Sequence, residues 1–581
     1  MTPSNESVIA VLRQLVQYTK LEDGQSQSFR TRAYEKAIEV IAASSESVAG
    51  LSISELKKID GIGDSTARKI VEFSANGTIG KVERLKKRFP PTMLDLMRIP
   101  GLGPKTVLLL QDRLGVVDVP GLTEAIEKHQ LASLPGLGAK SEEKIAKAIS
   151  LLGIHSNETR TPIAEAMDIA RRVVAELEGV EGVLTAEYAG SLRRHAETIG
   201  DIDILVTAET DSPVTKRFVT LPGVTAVLGS GSTKASIVID DQMQVDLRVV
   251  PEAAFGAALM YFTGSKAHNI ALRKRALDRG LTLNEYSLSE IGSGTVVAAS
   301  TEADIYHRLN LVWITPELRE DTGEISAAES GSLPRPISVG DLRGDLHVHT
   351  DWSGDGRSTM VEMLDGAVLS GLDYIVITDH AENLAMNGLS RERMLEQRAV
   401  IEEMRPRYRP LTILHGAELN IAADGSIDYD AEFLADFDFG VASIHSHFDL
   451  SPVDQTDRLI AAIHNSAVNV IGHPSGRMIG RRPGVRFDSD AVFEAAASTG
   501  TALEINSHLH RLDLQASHLR RAVETSEVMF AISTDAHHTS AYSNANWGAA
   551  QARKGWVPLD RVINTLDTPT FLDWAGRKRN S

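Results

Sequence analysis

Cysteine is absent from all 581 residues. Disulfides, thiolate zinc sites and cysteine nucleophiles are thereby excluded, and the chain suits a reducing compartment, so a cytoplasmic location is expected. No apolar run approaches the ~18 residues needed to cross a bilayer. The opening stretch, MTPSNESVIAVLRQ, lacks the basic and long apolar regions of a secretion signal. No membrane partner is expected. Positive charge is also in short supply: the net charge is −18, which by itself speaks against a nucleic-acid binder. Its distribution softens that objection, because residues 1–150 hold 21 Lys and Arg against 18 Asp and Glu. Histidine is uneven too, with 13 of the 18 beyond residue 340. The length exceeds what one core supports, so several domains with different chemistry are expected.

Residues 1–150 carry the apolar spacing of short amphipathic helices, within which one unit recurs. Its copies are LKKIDGIGDSTARKI (56–70), LMRIPGLGPKTVLLL (96–110) and LASLPGLGAKSEEKI (131–145). Each has an apolar helix end, a Gly-apolar-Gly turn and a second helix, whose first N–H groups form an anion site. A single copy reads equally well as a tight turn without a ligand. Three copies, two followed by lysine, favour phosphate-backbone binding and resemble helix-hairpin-helix motifs, which hold DNA without reading its sequence. The candidate DNA-binding residues are Gly61, Gly63, Gly101, Gly103, Lys105, Gly136, Gly138 and Lys140.

Between 160 and 330 helix and strand alternate: a helix at 162–178, strands near 183–189, 201–207, 235–240 and 243–250, then a helix from about 253. In GSLRRHAETIGDIDILV (190–206), Asp201 and Asp203 stand two apart in an apolar strand and so share one face. Burying unpaired carboxylates costs several kcal/mol, so a positive partner is required. Asp246, in QVDLRVV, can join from a neighbouring strand, and three converging carboxylates suit two divalent ions. The upstream GSLRR offers a glycine turn, a hydroxyl and two arginines to phosphate oxygens.

GSLRRHAETIGDIDIL, VDLR and YFTGSKAHN (261–269) resemble the palm and nucleotide-binding motifs of the family X, polymerase beta-like DNA polymerases, over roughly residues 1–320. The resemblance implies that Asp201, Asp203 and Asp246 hold catalytic Mg²⁺ or Mn²⁺, with Asp246 near the primer 3′-hydroxyl. It implies that Gly190, Ser191 and Arg194 meet the triphosphate. Tyr261 and Phe262 would crowd the sugar, Gly264 belongs to the same nucleotide-binding set, and Asn269 would reach the base. Lys266 departs from the vertebrate members, which carry an acidic residue there. FRTRAYEKAIEVI (29–41) and GIGDSTARKIVEF (61–73) resemble the family's small lyase domain and put Lys69 at its Schiff-base lysine. A lysine on a helix near DNA also serves as a phosphate contact, and Arg30 and Ser65 replace lysines around that pocket.

The stretch REDTGEISAAESGSLPRPISVG (319–340) reads as a linker. Beyond it, short apolar strands each end in ionisable residues, the pattern of a βα barrel with its site at the C-terminal strand ends. His347 and His349 in GDLHVHT are an i, i+2 pair on one face; His380, Glu418, His445, His473, Asp535 and His537 follow at later strand ends. Imidazole with carboxylate and no thiolate fits zinc, manganese or iron. The series resembles a PHP (polymerase and histidinol phosphatase) domain, a distorted seven-stranded barrel, over about 341–575. The resemblance implies a cluster of three Zn²⁺ or Mn²⁺ ions held by His347, His349, Asp355, His380, Glu418, His445, His473, Asp535 and His537. Asp355 sits one residue further along than the usual run places it, and His415 and His447 would support the ligands from outside.

The expected architecture is multidomain α/β: a helical helix-hairpin-helix N-terminal region, a nucleotidyltransferase palm of α+β type with a thumb-like segment, and a C-terminal distorted (β/α)7 PHP barrel. The expected divisions are 1–90, lyase-like; 91–155, two further helix-hairpin-helix motifs; 156–255, palm; 256–320, thumb-like; 321–340, linker; and 341–575, PHP. The resemblance implies a monomer that fills short gaps in nicked or gapped DNA from deoxynucleoside triphosphates. Its barrel would be a 3′-5′ exonuclease or an abasic-site endonuclease. A small-molecule phosphoesterase with an inactive polymerase domain, and a non-catalytic DNA-end scaffold, are the competing readings.

Overall fold

The computed structural model describes residues 5–25, 28–42, 48–59, 61–97, 99, 102–138, 141–142, 145–146, 160–240 and 243–578. The chain divides into two compact units, Met1–Thr159 and Arg160–Ser581.

The first unit is helical. Its main helices, Asn5–Asp23, Phe29–Ala42, Asp64–Asn76, Gly80–Arg88, Pro104–Leu114 and Val119–Glu127, bury Leu12, Tyr18, Ile70, Val82, Phe89, Leu110 and Leu122 in one core. The first repeat forms as a hairpin: a short helix, Ile53–Leu56, started by a Ser52–Glu55 capping box, then a turn and the helix Asp64–Asn76. Gly61 in that turn has φ +95°, and a Cβ there would lie 2.9 Å from Val40. Side-chain volume and backbone conformation both require glycine.

The second unit begins with β1 (Thr161–Pro162), paired with β3 (Thr198–Ile199), and the helix Ile163–Glu178. The palm sheet has the order β2 (Val183–Tyr188), β4 (Asp201–Ala208), β7 (Met243–Val250), β6 (Lys234–Ile239) and β5 (Val224–Ser230). Only the central β4–β7 pair is parallel. The helices Phe255–Thr263 and Lys266–Leu277 follow, then a three-stranded sheet of β8 (Leu281–Leu283), β9 (Leu288–Glu290) and β10 (Val296–Ala298). Seven parallel strands in sequential order form the C-terminal sheet: β11 (Gly344–Val348), β12 (Tyr374–Ile377), β13 (Thr412–Asn420), β14 (Phe439–Ser443), β15 (Val470–Gly472), β16 (Ala502–Asn506) and β17 (Phe530–Ser533). A parallel bridge, Val348 to Ala536, brings the last strand back to the first, so the barrel nearly closes.

Two sequence expectations need correction. No strand was expected at 224–230, where β5 is an edge strand with most of its side chains exposed, so it carries little apolar signal. The stretch 319–340 is packed structure and not a free linker. It holds the helix Glu324–Ser330, and both Arg319 and Glu324 are fully buried. Arg319 is bidentate on Glu302 (2.6 and 3.1 Å), and Glu324 accepts from His268 (2.6 Å). Gly, Ser and Pro content is blind to partners so distant in sequence. Palm, thumb-like segment and barrel accordingly fall in one compact unit.

Candidate active sites

β4 and β7 build the first site. Their register sets Asp203 directly beside Asp246, with Asp201 two residues back on the same face. Among the described residues none of these carboxylates makes an ion pair; Asp246 accepts only from Gln244 (3.1 Å). Burial, and then the neighbouring Asp201 and Asp246, push Asp203 up to about 7. Burial and Asp246 likewise raise Asp201. Arg248 and Arg194 partly offset the crowding at Asp203. Converging oxygen donors that crowd one another fit hard divalent cations such as Mg²⁺ or Mn²⁺. Gly190 closes the site from the adjacent turn: its φ is +61°, and a Cβ would fall 2.4 Å from Asp203 Oδ2.

Ser191 lies in the short helix Gly190–Arg193 that opens this turn. Arg193 is bidentate on Glu302 (2.8 and 2.9 Å), whereas Arg194 donates to Glu320 (2.9 Å) and to the Thr263 carbonyl (2.5 Å). Tyr261 and Phe262 meet edge to face at 5.1 Å, and Arg248 lies over the Phe262 ring at 5.3 Å. The Gly264–Ser265 peptide is cis, and Asn269 spends its amide on the Tyr261 carbonyl (2.7 Å). Arg248 was missed in the sequence, although its i, i+2 relation to Asp246 puts it on the carboxylate face.

The C-terminal strand ends of the barrel build the second site, and all nine expected side chains meet there. Glu418 on β13 is its centre. Its oxygens lie 3.4 Å from His347, 3.5 Å from His349, 2.8 Å from His380, 3.2 Å from His445 and 3.0 Å from His473. Asp535 stands 3.4 Å from His349 and 3.8 Å from His537, while Asp355 lies 3.1 Å from His380 and 3.5 Å from His537. The extra residue before Asp355 does not keep it out. Three overlapping donor groups result: His349, Asp355, His380 and His537; His347, His349 and Glu418; and His380, Glu418 and His445. Among the described residues, both ring nitrogens of His349 and Nε2 of His347 are buried without a hydrogen-bond partner. Burial, then His537 and His380, hold His349 down to about 3, keeping its imidazole neutral. Imidazole nitrogens gathered around central carboxylates fit transition-metal ions. A cavity of about 330 Å³, lined in part by Asp355, Arg357, Asp535 and His537, opens beside them.

Glu504 on β16 was also missed. Fully buried, it accepts from His347 Nδ1 (2.7 Å), from the His473 backbone N–H (2.6 Å) and from Asn506 (3.0 Å), which reaches on to Asp535 (3.1 Å). It thereby turns His347 Nε2 toward Glu418. Asn420 does the same for His445 (2.7 Å). The Glu-x-Asn alternation at a strand end was the available signal. Two expectations fail. His415, three residues before Glu418, points out of the opposite face of β13 and stacks on Phe437 at 4.6 Å. His447 is exposed on the loop after β14 and is not among the cluster's contacts.

In the helical unit, Gly63 and Gly103 precede their helices without side-chain caps. A Cβ on either, or on Gly136 or Gly138, would meet nothing within 4 Å, so these backbones are open to an outside ligand. Lys105 lies in the first turn of Pro104–Leu114; Gly101 and Lys140 lie outside the described residues. Lys69 donates to Ser65 Oγ (2.8 Å) and sits 5.4 Å from the Tyr34 ring, and the adjacent Arg68 is committed to Asp64 (2.8 Å).

Comparison with known families matches a helix-hairpin-helix domain at residues 3–79, a SAM-like helix-hairpin-helix tandem at 93–150 and the DNA polymerase beta palm at 160–258. The DNA polymerase beta thumb matches 258–320 and the PHP domain 345–508. The DNA polymerase/3′-5′ exonuclease PolX of Bacillus subtilis is 35% identical over 98% of this chain and 99% of its own. Rat DNA polymerase lambda is 26% identical over 51% of this chain and 53% of its own. A probable phosphatase of Photobacterium profundum is 29% identical over 40% of this chain and 92% of its own.

Proposed function

The chain belongs to the family X DNA polymerases that carry a C-terminal PHP domain, and from that premise we propose that it fills short gaps in DNA and trims or incises the same strand. One observation carries this reading: two separate groups of ligand-type side chains stand ready in one compact unit, the three unpaired palm carboxylates and the nine-residue barrel cluster.

In the palm, Asp201, Asp203 and Asp246 would hold Mg²⁺ or Mn²⁺, which when bound lowers the pKa of the attacking hydroxyl and neutralises phosphate charge. Asp246 is the carboxylate assigned to the primer 3′-hydroxyl. Ser191 and Arg194 are assigned to the triphosphate, while Tyr261 and Phe262 crowd the sugar and select deoxyribonucleotides. In the barrel, the nine ligands would hold a cluster of Zn²⁺ or Mn²⁺, and the adjoining cavity receives the strand end. The glycine-led helices of the first unit hold the DNA backbone on either side of the gap, with Lys69 as the lyase candidate.

The test is a gapped duplex with one labelled primer, supplied with deoxynucleoside triphosphates and Mg²⁺ or Mn²⁺. Extension in their presence and 3′ shortening in their absence are expected. Hydrolysis of small phosphomonoesters without either DNA reaction would overturn the proposal in favour of a phosphoesterase, and DNA binding without chemistry would leave a scaffold.

A further inference from the structure

The palm turn that carries Arg194 is held from the barrel. The barrel helix Ala545–Lys554 lies against residues 194–195, where Lys554 Nζ donates to the carbonyls of Arg194 (3.3 Å) and His195 (3.1 Å). Trp547, on the same helix, packs on the His195 ring at 5.1 Å and joins Leu192 and Ile163 in the palm's apolar core. Arg553 binds Glu317 (3.1 Å through Nε), just before the thumb residue Glu320 that holds the Arg194 guanidinium. Arg477, from the loop after β15, is bidentate on Glu197 (3.1 and 2.8 Å).

The turn needs this support. His195 sits in the left-handed region, at φ +52°. The helix before it is only four residues long, too short to hold its own C-terminal carbonyls in place. Partly buried carbonyls that lose a charged donor cost free energy, and the turn would move to regain one.

We propose that Lys554 is a positioning residue for nucleotide addition: a lysine of the nuclease barrel that fixes the backbone of the Arg194 turn and so completes the triphosphate pocket of the palm. The inference rests on the assignment of Arg194 to the triphosphate. It makes the barrel part of the polymerase site and not an appended second enzyme.

The experiment uses the full chain on a one-nucleotide gap with Mg²⁺, measuring kcat and KM for the deoxynucleoside triphosphate separately, with melting temperature as a fold control. Lys554→Met keeps the stem and deletes the donor. Its KM should rise on the order of tenfold, the loss expected for two charge-assisted hydrogen bonds acting through the backbone, with kcat close to wild type. Lys554→Arg should recover most of the loss. Arg194→Ala is measured alongside: an unchanged KM there overturns the Arg194 assignment. A raised KM in Arg194→Ala with a wild-type KM in folded Lys554→Met overturns the inference alone. Hydrogen exchange on the wild type gives a test independent of any variant. Adding the triphosphate with Ca²⁺ to dideoxy-terminated gapped DNA should slow exchange within Ala545–Lys554. Unchanged exchange there would also overturn the inference.

Discussion

Gly190 shows how far one hydrogen atom can matter. It holds a positive φ and leaves no room for a methyl group beside Asp203, so Gly190→Ala should displace that carboxylate and cut nucleotide addition at least a hundredfold, about 3 kcal/mol of barrier. Asp203→Ala should abolish addition altogether. Both variants should retain 3′ degradation, because the barrel ligands are a separate set; primer extension and degradation on one gapped duplex provide the check, and joint loss of both reactions would merge the two sites. In the barrel, Glu504→Gln retains one acceptor oxygen: facing His347 it turns an amide donor toward the His473 N–H, and facing His473 it leaves His347 without its acceptor. Metal affinity should fall ~10–100-fold, read by elemental analysis after dialysis against a graded chelator. Undiminished metal content would remove Glu504 from any orienting role.

At the scale of elements, the candidate barrel ligands other than Asp355 were legible because each lies at or just past a strand end, where the strand pattern places it. The strand β11 gives the plainest case: His347 and His349 share a face, so replacing both with Ala removes donors from two of the three ligand groups. The double variant should lose bound metal and 3′ degradation while gap filling remains measurable; degradation that survives metal loss would put the nuclease elsewhere. The palm carboxylates were legible from a period of two along their strands, in GDIDIL and VDLR. The same period, counted from Glu418, would have excluded His415, three residues away. What sequence could not show was pairing across distance. Glu302 serves both Arg193 and Arg319, and Glu324 meets His268 some 56 positions away. Those buried partners turn a segment with linker composition into packed structure. β5 escaped notice for the opposite reason, since an exposed edge strand has little apolar alternation to show.

At the scale of the whole molecule, palm and barrel fall in one compact unit, and His195 within it should make that unit's stability sensitive to acid. Burial holds this histidine down to about 4, with Arg553, Lys554 and Arg171 adding to the effect and Glu317 opposing it. The folded protein keeps it neutral where an unfolded chain, with a pKa near 6.5, takes up a proton. Stability should therefore fall as pH drops from about 6.5 toward 4, by up to ~3 kcal/mol from this residue. His195→Asn, which tolerates the left-handed backbone, should flatten that dependence in urea melts of the full chain; an unchanged slope would assign the acid sensitivity elsewhere, since His415, His473 and His508 are also pushed down to about 4 by burial. The packing of 319–340 has a further consequence for dissection by proteolysis. Gly331 and Ser332, just past the helix Glu324–Ser330, are exposed, so a protease recognition site inserted there should be cut. The fragments should nevertheless co-elute on size exclusion, because Trp547, Lys554 and Arg477 grip the palm and Arg553 the thumb-like segment without any need for the intervening peptide bond. Fragments that separate at once would show that covalent continuity alone keeps the two catalytic halves together.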